Sequence, residues 1–368
     1  MAVNARAVSA GQALEALAAG WAAQEAGALT ASYMLHGRPG VGKTEIVETL
    51  ARRRGAQLFD LRLTTIEPQD LRGLPFYDHD TKRTVWYPPD DLPHDPGAPA
   101  ILFLDELTAA APALQPTVYG LLQERRIGRY RLPDTTLVVG AGNEIEDGAV
   151  AYEMGTALAD RLVHMVVRAD AADWVQGYAP AAGIHPAVVA FIRTRPDLLE
   201  TTEAELKRGH TVACTPRSWT RVSHILGAVS DRRIRDVLIA GTVGNAAAAE
   251  FVLIADEIAA SVHVDEMLAA SRRERRALYP TSLHGLTALI YGAIAVADER
   301  TLPAVIEILA DLRELDAAPF RGLPLAELAG FGFEILIRKA LENGWEEHFA
   351  GSEAYATYAE DRRAAGLS

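Results

Sequence analysis

The stretch Leu35–Val47 reads LHGRPGVGKTEIV and holds the pattern G-x-x-x-x-G-K-T between Gly37 and Thr44. No other feature of the chain restricts its fold as strongly. Such a loop works only between a strand and a helix, where backbone N–H groups converge on phosphate oxygens and the helix N-terminus adds its positive field. Glycines at 37, 40 and 42 remove the Cβ atoms that would stop the loop from curling. Lys43 is placed to reach β- and γ-phosphates, and the Thr44 hydroxyl to hold Mg2+. The flanks fit: SYMLHG is an apolar strand, and KTEIVETLARRRG is a helix closed by Gly55. The candidate nucleotide-binding residues are therefore Gly37, Arg38, Pro39, Gly40, Val41, Gly42, Lys43, Thr44 and Glu45. A chance match is the competing explanation, and the strand–loop–helix setting weakens it.

The same alternation continues. AQLFDLRL, AILFLDEL (Ala100–Leu107), TTLVVGAGN and VHMVVRA (Val163–Ala169) are apolar runs with helical patterns between them. Strands apolar throughout and separated by helices indicate an α/β fold, a parallel sheet covered on both faces. Between Thr64 and Pro96, scattered Pro, Gly and Asp with RTVWYPP read as a hairpin or exposed insert. From about Asp173 the strand signal ends and helical patterns run on. The expected organisation is a helical leader at 1–30, an α/β nucleotide-binding domain at 31–170, an α-helical lid at 171–260 and a C-terminal helical extension at 261–368.

Asp105 closes the apolar run ILFLDE, which puts it at the carboxyl end of a buried strand, where open α/β sheets bind ligands. It is a candidate Mg2+ ligand, partly through water, with Glu106 beside it as a candidate general base. Asn143 ends the next apolar strand; it is either a turn residue or a holder of the lytic water or the γ-phosphate. Arg161, in ALADRLVHMVV, is either a surface arginine paired with Asp160 or a finger for a neighbouring subunit's γ-phosphate. Arg217, in TPRSW, stands near a helix start and could return over the nucleotide. No N-K-x-D motif for reading a guanine base is present.

Phosphate loop, DE strand, strand-end Asn, an arginine before the last strand and a later arginine in TPRSW follow an order that resembles the AAA+ ATPases, where these are Walker A, Walker B, sensor 1, arginine finger and sensor 2. The finer resemblance is to the MoxR/dynein-related branch, carried by TTIEPQDLRGLP, VWYPPDDLP, LFLDELTAAAPALQPTVYGLLQERRIGRYRLP and TPRSW. It covers roughly residues 32–225 and fades beyond. The resemblance implies a five-stranded parallel core with a helical lid, ATP and Mg2+ as cofactors, and assembly into a ring, hexameric in this branch, with Arg161 acting in trans. It implies catalytic roles for Lys43, Asp105, Glu106, Asn143, Arg161 and Arg217. It also places an insert within residues 65–96 and a hairpin at Arg125–Asp134 facing a pore; Arg125, Arg126 and Arg129 are alternative fingers. Members of this branch act as chaperone-like remodellers, often with a von Willebrand factor A-domain protein.

Composition bears on the partner. The 368 residues carry a net charge of -13, which lacks the basic footprint of a duplex-coating protein. A protein client is favoured, and a nucleic-acid motor using Arg125, Arg126, Arg129 and Arg131 is the alternative. A single cysteine, Cys214, excludes an internal disulfide framework and fits a reducing cytoplasm. The most apolar run, Val237–Ala255, contains Asn245 and Glu250 with Asp256 beyond, and reads as a buried helix pair rather than a membrane span. RRERRAL, from Arg272, reads as a solvated helix face or a site for an acidic partner. The histidines show no metal-ligand spacing.

Overall fold

A computed structural model describes residues 3–143 and 159–364. The chain divides into two units, Met1–Asp170 and Ala171–Ser368.

The first unit is built on a six-stranded parallel sheet. Its strands are β1 (Ala7–Val8), β2 (Ser32–His36), β3 (Gln57–Arg62), β6 (Ala100–Asp105), β9 (Thr136–Gly142) and β10 (Leu162–Val167), in the order β1-β10-β2-β9-β6-β3. Side chains alternate between two cores, as a strand buried on both faces must. Tyr33, Leu35, Ile101, Phe103, Val139 and Val167 face α1 (Ala10–Glu25) and α2 (Lys43–Arg54). Met34, Leu102, Leu104, Val138 and Leu162 face the segment around α4 (Gln115–Tyr119) and the π turn Gly120–Glu124 that continues it.

The sheet has one strand more than the five expected. The sixth is the two-residue β1, which pairs Ala7 with Val166 and Val8 with Val167. Its brevity leaves no periodic signal in the sequence. The leader helix is also part of this unit: Leu17 and Trp21 of α1 are fully buried, and Gln24 donates to the Asp134 and Thr136 carbonyls where β9 begins. A capping box between Ser9 and Gln12 starts the helix.

Two hairpins leave this sheet. β4 (Leu74–Asp78) and β5 (Arg83–Tyr87) follow the short helix α3 (Pro68–Arg72) within the expected insert, and expose Leu74, Phe76, Tyr77 and Tyr87. β7 (Arg126–Ile127) and β8 (Tyr130–Arg131) form a small second hairpin turned at Gly128.

The second unit is helical throughout. Its elements include α5 (Pro186–Thr194), α6 (Pro216–Ala228), α7 (Arg232–Val243), α8 (Asn245–Ser261), α9 (Arg272–Leu278), α10 (Leu283–Ala295), α11 (Leu302–Asp311), α12 (Leu325–Asn343) and α13 (Glu353–Ala364). The apolar run 237–255 becomes α7 and α8, broken at Gly244. It is only partly buried: Val237 and Leu253 are 72% and 73% exposed. Among the described residues, no helix is long and apolar enough to cross a membrane.

The basic run in α9 is solvated at Arg272, Arg273 and Arg276 and buried at Arg275. Arg275, 3% exposed, donates to Glu307 and Asp311. Arg272 binds Asp311 and Glu314, and Arg276 reaches Glu314. The arginines fasten α9 to α11 and the turn after it.

Candidate nucleotide-binding site

Parallel strands deliver their loops to one edge of a sheet. In the first unit, Met34, Gly140 and Leu104 lie at one level across β2, β9 and β6. The next residues out are therefore those after His36, after Gly142 and after Asp105. Three sequence segments, starting at Gly37, Glu106 and Asn143, thus open onto the same edge, with the central strand separating the outer two by about 10 Å.

At the phosphate loop, Gly42 caps α2 with φ of 108°, a conformation open to glycine. Gly37 passes so close to β10 that a Cβ there would stand 2.6 Å from the Val167 carbonyl oxygen. Lys43 Nζ lies 2.5 Å from the Gly37 carbonyl, 3.1 Å from the Arg38 carbonyl and 3.1 Å from Asn143 Oδ1. Lysine and asparagine are thus in direct contact, although 100 residues separate them. The Asn143 N–H donates to Thr108 Oγ1 at 3.2 Å, which fixes the backbone at the strand end.

Asp105 Oδ1 accepts the Glu106 N–H at 2.8 Å. Its side chain is 14% exposed, which shields the carboxylate without sealing it off. Glu106 adopts φ of 57°, so the chain turns sharply just as the strand ends and the side chain leaves the sheet's alternation. Thr64 donates to Glu106, and Arg62 approaches both acids at 3.9–4.0 Å. Asp60, on the same strand as Arg62, has its carboxyl raised above the usual range by burial and by the Asp105 charge, with Arg62 acting against both.

Arg161 lies at the other edge of the sheet. Leu162 is level with Ser32 and Val166 with His36, so Arg161 stands before the start of β2 while Gly37 stands beyond its end. Six residues of strand put about 20 Å between them. The arginine is exposed and donates to Gln123 Oε1 at 2.7 Å. Arg125 differs from the expectation of a pore-facing or finger residue. It is 9% exposed, has φ of 55°, and donates to the Pro133 and Thr136 carbonyls, clamping the base of the hairpin. Burial lowers its guanidinium pKa. Arg126 pairs with Glu124 and Arg131 with Asp134, while both stay exposed.

The remaining candidate is Arg217. It belongs to the second unit, exposed at the second position of α6, whose start is fixed by a capping box between Thr215 and Ser218. Thr64, Arg62 and Thr108 were not anticipated from sequence. Thr64 and Thr108 lie in the stretches TTIEPQDLRGLP and LFLDELTAAAPALQPTVYGLLQERRIGRYRLP, but their roles come from contacts that strand pairing makes.

Residues 32–162 match the family model of the AAA domain (dynein-related subfamily). The first unit has the AAA+ fold. No curated protein matches the chain. Solved structures similar to it include a point mutant of Thermotoga maritima RuvB, at 12% identity over 73% of this chain and 82% of that one, with a TM-score of 0.40. The T. maritima RuvB Holliday junction branch migration motor is 14% identical over 90% and 87% of the two chains, with a TM-score of 0.37. A candidate ATPase from Cytophaga hutchinsonii is 14% identical over 89% and 79%, with a TM-score of 0.33. The AAA+ assignment rests on the family match and on the strand order, with the phosphate loop following the strand between β10 and β9.

Proposed function

We propose that the chain is a ring-forming ATPase of the MoxR kind that hydrolyses ATP to remodel or activate a protein partner. The observation that carries this reading is the convergence of Lys43, Asn143, Asp105 and Glu106 at the carboxyl edge of one sheet. Lys43, oriented by two loop carbonyls and Asn143, would bind the β- and γ-phosphates. Asn143, pinned by Thr108, would hold the attacking water in line. Glu106 would accept the water's proton as general base once its carboxylate exchanges Thr64 for that water. Thr44 and Asp105 offer the hard oxygen donors that Mg2+ prefers, and Asp105 keeps one carboxylate oxygen clear of its hydrogen bond to Glu106. When bound, Mg2+ would neutralise charge on the phosphates.

The separation of about 20 Å between Arg161 and its own phosphate loop, deduced from strand rise, supports a role in trans, since an arginine side chain spans far less. A ring would bring Arg161 of one copy to the nucleotide of the next. A hexamer and a von Willebrand factor A-domain partner follow from the resemblance alone and are part of the proposal. So is a contribution of Arg217 to transition-state charge, which Arg217→Ala tests.

Phosphate release should fall by about 100-fold or more in Glu106→Gln, the range for a lost general base, with ATP binding retained. Equal rates in wild type and variant would sink the reading. An ATP-dependent pull-down with Glu106→Gln should recover a protein client; recovering only nucleic acid would move the chain to the motor class.

A further inference from the structure

His36 is the last residue of β2 and the neighbour of Gly37, and it is 5% exposed. Its Nε2 lies 2.8 Å from Nδ1 of His164 on β10, with the rings inclined by 20°. His164 Nε2 in turn lies 2.8 Å from the carbonyl oxygen of Ala159. A carbonyl can only accept, so His164 must carry a proton on Nε2. In the neutral ring its Nδ1 is then an acceptor, and His36 must donate from its own Nε2. The two hydrogen bonds therefore run in one direction, from the residue before the phosphate loop to a carbonyl two residues before Arg161.

This path crosses the sheet between its two functional edges. β2 leads into the proposed phosphate loop, and β10 follows Arg161 at the opposite edge. Backbone pairing holds these strands in register from Leu162 to Val166 but does not reach Ala159–Arg161. The His164 ring fixes that segment through Ala159, and the His36 ring fixes His164.

We propose that His36 and His164 are positioning residues that tie the phosphate loop of one copy to the arginine it lends to the next. The proposal rests on the trans role of Arg161 argued above. The link sets the placement of Ala159–Arg161 and touches neither nucleotide nor water.

The test is steady-state ATP turnover by the full chain. His164→Met keeps the volume and loses the donor, whereas His164→Gln offers an amide N–H near the position of Nε2. His164→Met should lower kcat about tenfold with KM for ATP within about twofold, and His164→Gln should stay within about twofold of wild type. In an Arg161→Ala background, His164→Met should change kcat by less than about twofold, because the two act through one arginine. Equal losses in the Met and Gln variants, or a full tenfold loss persisting without Arg161, would overturn the link. If Arg161→Ala abolishes turnover and His164→Met does nothing, the link alone fails. If Arg161→Ala leaves kcat unchanged, the trans reading fails and takes the link with it. Ring nitrogen NMR of the wild-type chain tests the link even where a variant misfolds: it should show both histidines as Nε2–H tautomers, and an Nδ1–H tautomer at His164 would overturn it.

Discussion

Gly37 is held against β10 with no room for a side chain: a Cβ would meet the Val167 carbonyl at 2.6 Å. Backbone cannot retreat as a side chain can, so Gly37→Ala should displace the loop from β10. ATP affinity should then fall about tenfold or more, corresponding to about 1.4 kcal/mol, in a fluorescent-nucleotide titration. Cys214 makes the opposite kind of statement. It is 1% exposed, its Sγ faces the Val243 carbonyl at 3.4 Å, and burial pushes the thiol up to about 11. Because the thiolate is the reactive form, alkylation at pH 8 should be slow in the native chain and fast in urea. The sign for stability follows. An unfolded thiol with its ordinary value of 9.0 ionises first, so stability is unaffected below about pH 9 and declines from there towards pH 11. The residues legible in sequence were those whose neighbours in the chain announce them. Gly37 to Thr44, Asp105–Glu106 and Asn143 each follow a run of apolar strand residues that fixes where they emerge. Thr64, Arg62 and His164 act on partners 42 to 128 residues away, a distance only strand register closes.

Among the elements, α9 shows how a charge run can mislead. RRERRAL has the look of a surface, yet Arg275 and Asp311 are both nearly inaccessible and paired at 3.0 Å. The pairing partner lies 36 residues on, in α11, and nothing local marks it. Removing one member leaves the other charge buried, so Asp311→Ala should cost about 3–5 kcal/mol in urea unfolding, whereas Arg276→Ala, exposed on the same helix, should cost less than about 1 kcal/mol. The hairpin at Arg126–Arg131 falls within Arg125–Asp134, where the family resemblance placed one. The role of Arg125 was not, because a left-handed residue folding its guanidinium back on two carbonyls looks in sequence like any other member of a basic cluster.

For the whole molecule, alternating apolar runs foretold the parallel sheet of the first unit, and the second unit runs from Ala171. A strand of two residues carries no period, so the sixth member of the sheet stayed hidden. The trans arrangement makes a prediction that no single chain can satisfy. Lys43→Ala and Arg161→Ala should each release phosphate far more slowly than wild type when alone, the first lacking its phosphate ligand and the second the arginine for its neighbour. Mixed, they should recover part of the wild-type phosphate release, because some interfaces pair an intact loop with an intact arginine. No recovery at any ratio would place both residues in the same copy's site.

β1 also determines what can be done with this chain at the bench. It covers the outer margin of β10 at Val166 and Val167, at the end of the strand that carries His164 and follows Arg161. Cutting the chain between Val8 and Ala10 would leave a row of backbone donors and acceptors bare, an invitation to strand-by-strand stacking of one molecule on another. Purification handles therefore belong well clear of Ala7. Aggregation after trimming this segment would be a fault of the exposed edge, not of the nucleotide site.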